Sequence, residues 1–205
     1  MPGERLVLFL DAQNFYKGAR RAFFSTSDPH FYGQIKPVEL GNLICTRSLP
    51  GVQRDLVQTR IYTGRPDATK EPKTYTAHMK QCNAWTKAGV KVFPRMLRYP
   101  QDWPASKAQE KGIDVALAID FAALAVDNEY DVGVIASTDS DLRPALEFVS
   151  RECGQRCRIE VVAWTSPSAK SRLSIPGSTI WCHWLNRADY DSIADLTDYN
   201  FTALP

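Results

Sequence analysis

Four aspartates stand where apolar runs of this chain stop or start. Asp139 and Asp141 lie in Ser137-Thr138-Asp139-Ser140-Asp141-Leu142, directly after Val132-Gly133-Val134-Ile135-Ala136; a second run, Leu6 to Leu10, ends on Asp11. Asp114 follows Lys111-Gly112-Ile113 and opens the strongest helical pattern in the sequence. Short apolar runs bounded by polar turns read as buried strands, and ligands of open α/β sheets gather beyond the carboxyl ends of such strands. Carboxylates there are poorly placed for packing and well placed for chemistry. Asn14, at the start of a helix, can orient a carboxylate or a water beside them.

Several carboxylates held within a few ångströms repel one another, and some protonate unless a cation neutralises them. Magnesium and manganese prefer oxygen ligands and keep several waters, so a few aspartates suffice to hold one. Such an ion activates water and stabilises the charge of a phosphodiester undergoing in-line displacement. This chemistry needs neither histidine nor cysteine, and His30, His78 and His183 show no metal-ligand spacing. Any one of the acids could simply cap a helix; their coincidence at separate element ends favours a site. Asp120 falls roughly 120° around the helix from Asp114, at about 100° per residue, which suggests a supporting or surface role.

The elements that must position these acids alternate along the chain. Strands are expected at Leu6 to Leu10, Asp55 to Tyr62, Val90 to Phe93, Val132 to Ala136 and Arg158 to Trp164, with a last one at Ile180 to Leu185. Helices are expected at Asn14 to Phe24, from Pro37, at Tyr75 to Lys87, at Asp114 to Val126 and at Leu142 to Arg151. Thr63 to Asp67 and Tyr99 to Lys111 read as loops, and Asp189 to Asp198 as an acidic terminal segment. Asp114 to Val126 is apolar on so many sides that burial on most of them is expected. Strands separated by helices of this length predict βαβ units and a three-layer α/β/α, Rossmann-like fold, with a central, mainly parallel sheet of about five or six strands. Right-handed crossovers make the first and fourth strands central neighbours. Asp11, Asp139 and Asp141 then share one edge, and Asp114 joins them.

With 205 residues and no composition shift, one domain over 1–205 is expected, its core about 5–165 and residues 166–205 an extension packed on that core. A formal net charge of +2 demands no long-range attraction to nucleic acid, so polyanion binding must use local patches. The five scattered cysteines fit neither a disulfide framework nor a zinc module. Nothing approaches the roughly 20 apolar residues that span a bilayer. A reducing, cytoplasmic setting without membrane contact is the expectation.

At Phe9-Leu10-Asp11-Ala12-Gln13-Asn14-Phe15-Tyr16, at Lys111-Gly112-Ile113-Asp114-Val115-Ala116-Leu117-Ala118-Ile119-Asp120, and from Tyr130-Asp131 through Ser137 to Leu142, the chain resembles the NYN domain family, the LabA-like branch of PIN-like nucleases. The order and spacing of all three pieces match over about residues 5–165. The resemblance implies a PIN-like fold and magnesium- or manganese-dependent cleavage of RNA, with endonuclease action the leading form. It implies that Asp11, Asp114, Asp139 and Asp141 are the acidic site and that Asn14 assists. Thr138 departs from the pattern, which has glycine there. A turn needing positive φ or close backbone approach would be disturbed by threonine, so Thr138→Gly is expected to leave activity equal or higher.

Arg65, Lys73, Lys107 and Lys111, with Lys70 nearby, are loop cations suited to sequence-independent phosphate contacts. Tyr16, Tyr75, Tyr99 and Trp103 are candidates for stacking on unpaired bases. RNA, single-stranded or structured, is therefore the expected partner, and a homodimer is left open. Two other classes compete: a scaffold of the same fold without cleavage, for RNA or protein partners, and phosphatase chemistry of the haloacid dehalogenase type. The latter needs an aspartate two residues after Asp11, where Gln13 stands.

Overall fold

Leu6 to Leu10 is apolar at every position because both faces of its strand are covered. In the computed structural model, which describes residues 3–201, this strand, β1 (Glu4–Asp11), lies mid-sheet between β2 (Arg54–Arg65) and β4 (Val132–Ala136), parallel to both. Beyond β2 lies β3 (Lys91–Met96); beyond β4 come β5 (Arg158–Ser166) and then β7 (Trp181–Leu185). All of these pairings are parallel, and the short β6 (Ala169–Lys170) turns back antiparallel on the end of β5. The order β3-β2-β1-β4-β5-β7 reverses direction between β1 and β4. Residues 1–2 and 202–205, the ends of the expected 1–205 span, lie outside the described residues.

Alternation along the strands sends side chains into two cores. Leu6, Leu8, Leu10, Val134 and Val162 pack with Phe15 and Ala19 of α1 (Ala12–Phe23), Leu40 and Ile44 of α2 (Pro37–Cys45) and Trp85 of α3 (Pro72–Lys87). Val7, Phe9, Ile135 and Val161 pack with Leu117 and Phe121 of α4 (Ile113–Val126) and Leu146 and Val149 of α5 (Arg143–Cys153). The result is the expected three-layer α/β/α arrangement. A last helix, α6 (Arg187–Ile193), is closed by a capping box between Asn186 and Asp189 and sends Tyr190 and Ile193 into the first core.

Three differences from the sequence reading bear on the site and its surroundings. β2 continues to Arg65 through Thr63 and Gly64, expected to be loop, because β3 pairs with all three residues. α3 starts at Pro72, where proline's fixed φ and missing N–H suit the first turn. And α4 is not buried on most sides: Leu117 and Phe121 are sealed, but Val115, Ile119 and Val126 are 52%, 61% and 48% exposed. One face of α4 rests on the sheet and α5, and nothing among the described residues covers the other.

At the amino ends of the strands, Arg54 reaches under the sheet to Glu160, donating to both carboxylate oxygens at 2.9 and 2.6 Å. His183 lies 2.7 Å from Glu160 Oε2, and Glu4 joins Arg54 to Arg158. The Arg54, Glu160 and His183 side chains are 3%, 5% and 1% exposed. Burial pushes the Glu160 carboxyl up, but the hydrogen bonds and charges of His183 and Arg54 outweigh it and hold its pKa below the ordinary value.

Candidate active site

Asp11 is both the last residue of β1 and the N-cap of α1, so one backbone position serves strand, helix and site. Its Oδ1 accepts the Asn14 N–H at 3.0 Å and its Oδ2 accepts the Ser137 hydroxyl at 3.3 Å. Only 7% of the residue is exposed. Burial raises its pKa; the bonds from Asn14 and Ser137 oppose this, the charges of Asp139 and Asp114 add to it, and the net shift is upward. The carboxylates therefore feel one another across the gap between β1, α4 and the turn after β4.

That turn is fastened from below. The buried Ser137 hydroxyl also accepts the Asp139 N–H at 3.1 Å, and Asn14 Oδ1 accepts both the N–H and the hydroxyl of Thr138, at 3.0 and 3.1 Å. Asn14 thus ties α1 to the β4 turn through its carbonyl. Thr138 is not among the residues of positive φ, so this turn does not require glycine, and its hydroxyl strengthens the tie. The positive-φ ground for a gain from Thr138→Gly is therefore absent. Thr138→Val, which keeps the shape and removes the hydroxyl, should cost about 1 kcal/mol of stability, read from the urea midpoint, and should lower rather than raise any activity of the site.

Asp139 caps the short 3-10 turn Ser140–Leu142 by accepting the Asp141 N–H at 3.0 Å. Its half-buried carboxylate faces the charge of Asp11, while the side chain of Asp141 is exposed. Asp114 lies in the first turn of α4, behind Gly112, whose φ of 73° is the left-handed conformation glycine adopts without penalty. Asp120 points elsewhere: its Oδ2 accepts Arg60 at 2.6 Å and the Tyr62 hydroxyl at 2.7 Å, tying α4 to β2.

A fourth member of the cluster was not expected. Glu110 has its pKa raised by burial first and then by Asp11, with Asp114 adding to the effect and Lys17 opposing it. Its Oε1 accepts the Gly64 N–H at 2.9 Å, and a Cβ at Gly64 would lie 2.7 Å from that oxygen. Glycine at 64 is what lets Glu110 approach. The sequence offers one signal for it, adjacency to the Lys111-Gly112-Ile113-Asp114 motif, but the partner is far away in the chain.

Among the described residues no three His, Cys, Asp or Glu side chains converge into a ready-made metal cage. The donors nevertheless suit a hard cation that keeps waters: they are all carboxylates, and the raised pKa values of Asp11 and Glu110 reflect burial and a repulsion that a cation would relieve. None of the histidines is here. His30 meets Asp198, His78 meets Cys82, and His183 meets Glu160. Of the expected cations, Lys107 stands in the same loop as Glu110, and Arg65 closes β2 near enough to His78 to add to the lowering of its pKa by burial. Lys73 and Lys111 are exposed, the first in the opening turn of α3 and the second next to Glu110.

The match to known proteins is at the level of family and fold. The NYN domain model matches residues 5–175. A crystal structure of a protein of unknown function from Vibrio parahaemolyticus superposes with a TM-score of 0.51 at 15% identity, over 78% of this chain and 81% of that one, a likeness that shows the fold alone. No curated protein matches the sequence, and no helix among the described residues is long and apolar enough to cross a membrane. NYN domains fall within the PIN-like nuclease superfamily, whose members typically use divalent metals. With the parallel sheet reversing at Asp11 and the family match running from β1 past β5, the chain belongs to the NYN domain family.

Proposed function

We propose that this chain is a metal-dependent ribonuclease that hydrolyses RNA phosphodiester bonds at Asp11, Glu110, Asp114 and Asp139. The observation that carries the reading is the gathering of carboxylates from three segments, the end of β1, the stretch that opens α4 and the turn after β4, at the point where the sheet order reverses. Ligands of open α/β sheets bind at that point. Asp11, Asp114 and Asp139 would hold magnesium or manganese, with the exposed Asp141 at the rim. Such an ion, when bound, supplies an activated water and neutralises charge on the phosphodiester.

The chain's own residues do the positioning. Ser137 holds the Asp11 carboxylate and the Asp139 backbone in fixed relation, and Asn14 fixes the turn that carries Asp139. Lys107 and Lys111 flank Glu110 in sequence and are exposed, suited to the RNA backbone on either side of the cleaved phosphate.

The absence of a tight cage among the described residues is what a non-cleaving scaffold of the same fold would also show. A circular RNA pool separates the two. Linear products in manganese and none in chelator are expected, with manganese raising the melting temperature because it binds only the folded state. Intact circles together with an unchanged melting temperature would sink the nuclease reading. In crystals soaked in manganese, anomalous density is expected between Asp11, Asp114 and Asp139.

A further inference from the structure

A groove of about 600 Å³ opens beside the acid cluster, a size suited to a nucleotide-scale ligand. Its lining includes Ala12 and Gln13, next to Asp11 in the chain, and Glu110, itself one of the coupled carboxylates. Whatever occupies the groove lies within reach of a group bound at the acids.

Two buried polar atoms on residues of this wall make no hydrogen bond among the described residues: Oε1 of Gln34, an acceptor, and Nε1 of Trp85, a donor. Buried polar groups are nearly always paired, because leaving one unpaired costs about 1–3 kcal/mol. An unmet donor and an unmet acceptor among the residues that line one groove therefore point to a ligand with both, reached when these side chains, sealed from solvent as they stand, turn toward it. Its charge is constrained as well. His78, on the same lining, is neutral near pH 7, since burial and Arg65 bring its pKa down to about 4. Among the described residues Lys107 is the one lysine or arginine of the lining, set against the carboxylates of Glu71 and Glu110, so the groove is no phosphate cradle. Ring surface is present too: Trp103 lines the groove and is held edge-on by Tyr99, centroids 4.9 Å apart.

A neutral, planar molecule with donor and acceptor edges meets all of these conditions, and nucleobases are such molecules. We propose that the groove receives one unstacked base of the bound RNA, next to the phosphate at the carboxylates, with Gln34 and Trp85 meeting its polar edge and Trp103 its face. The identity of the ligand rests on the ribonuclease reading; the unmet groups and the ring surface do not depend on it.

The test is binding in chelator, where no cleavage occurs. The anisotropy of a labelled, short single-stranded RNA is compared with copies that each carry one abasic site. One abasic position is expected to weaken binding about tenfold, the scale of a single base–aromatic stack. Gln34→Leu and Trp103→Ala should weaken the intact RNA by a similar factor and no longer distinguish it from that abasic copy. Such coupling is specific to a shared contact and is not produced by general destabilisation. Abasic copies that all bind like the parent, variants that weaken every copy equally, or no RNA binding at all would each overturn the proposal. So would Gln34-dependent binding of free ribonucleoside monophosphates without any abasic effect, which assigns the groove to free nucleotides. Cleavage in manganese is scored apart: base coupling without cleavage removes the nuclease and keeps the groove, and cleavage without base coupling does the reverse.

Discussion

Asp139→Asn and Asp11→Asn are each expected to lower metal-dependent RNA cleavage by about 100-fold or more, since even the outer partners of metal ligands are worth about 10- to 100-fold. Both substitutions keep size and hydrogen-bonding shape and remove one negative charge from the cluster. Their effects on stability run the opposite way for Asp11. The Asp11 pKa is raised above its ordinary 3.8, so the folded state holds this proton more tightly than the unfolded one. Stability of the metal-free protein therefore falls as pH rises from about the ordinary carboxylate value through the folded pKa, and at pH 7 the ionised group is a burden. Asparagine removes the burden and can still accept the Asn14 N–H. Asp11→Asn should thus melt above the metal-free wild type at pH 7 while failing to cleave. Full cleavage by either variant would end the account of the site, and a lower melting point for Asp11→Asn would end the electrostatic part of it.

Glu160→Gln should destabilise the protein by about 3–5 kcal/mol, the cost of breaking a buried ion pair from one side. The substitution leaves the Arg54 guanidinium, 3% exposed, with Glu4 as its only remaining ion-pair partner among the described residues. Because the folded pKa of Glu160 lies below its ordinary 4.5, its contribution is present above that value and is lost as pH falls through the folded pKa. The gap between wild type and variant in urea denaturation should therefore be widest near neutrality and close in acid. Replacing Arg54, Glu160 and His183 together by apolar residues of similar volume should recover most of the loss, because no charge is then stranded. A single variant as stable as wild type would show that the cluster contributes nothing. The cluster sits at the amino ends of the strands, so metal binding at the opposite edge should survive it.

The sheet was legible because its central strands are buried on both faces and so read as unbroken apolar runs; Val132–Ala136 was placed to the residue. The placing of Asp11 and Asp139 at or just beyond strand ends was legible because strand ends are where the pattern breaks. What the sequence concealed was lateral. Glu110 stands in a polar loop and comes beside the aspartates because the Gly64 N–H, far away in the chain on β2, donates to its carboxylate. Thr138 looked like a disturbance by comparison with glycine, yet its hydroxyl bonds Asn14, a partner no local pattern reveals. The apolar circumference of α4 gave the wrong burial for a related reason: periodicity reports composition around a helix, and what covers each side is decided by the neighbours.

The pairing of β1 with β4 also fixes when the carboxylate cluster can exist. Asn14 and Thr138 meet across a separation of 124 residues, so a chain still emerging from the ribosome displays Asp11 long before the turn that completes the site has been made. During synthesis the early segment carries Asp11 without its later carboxylate neighbours. The mutual repulsion of Asp11 with Asp139 arises only when β4 inserts beside β1, at a stage when most of the apolar core is available to offset it.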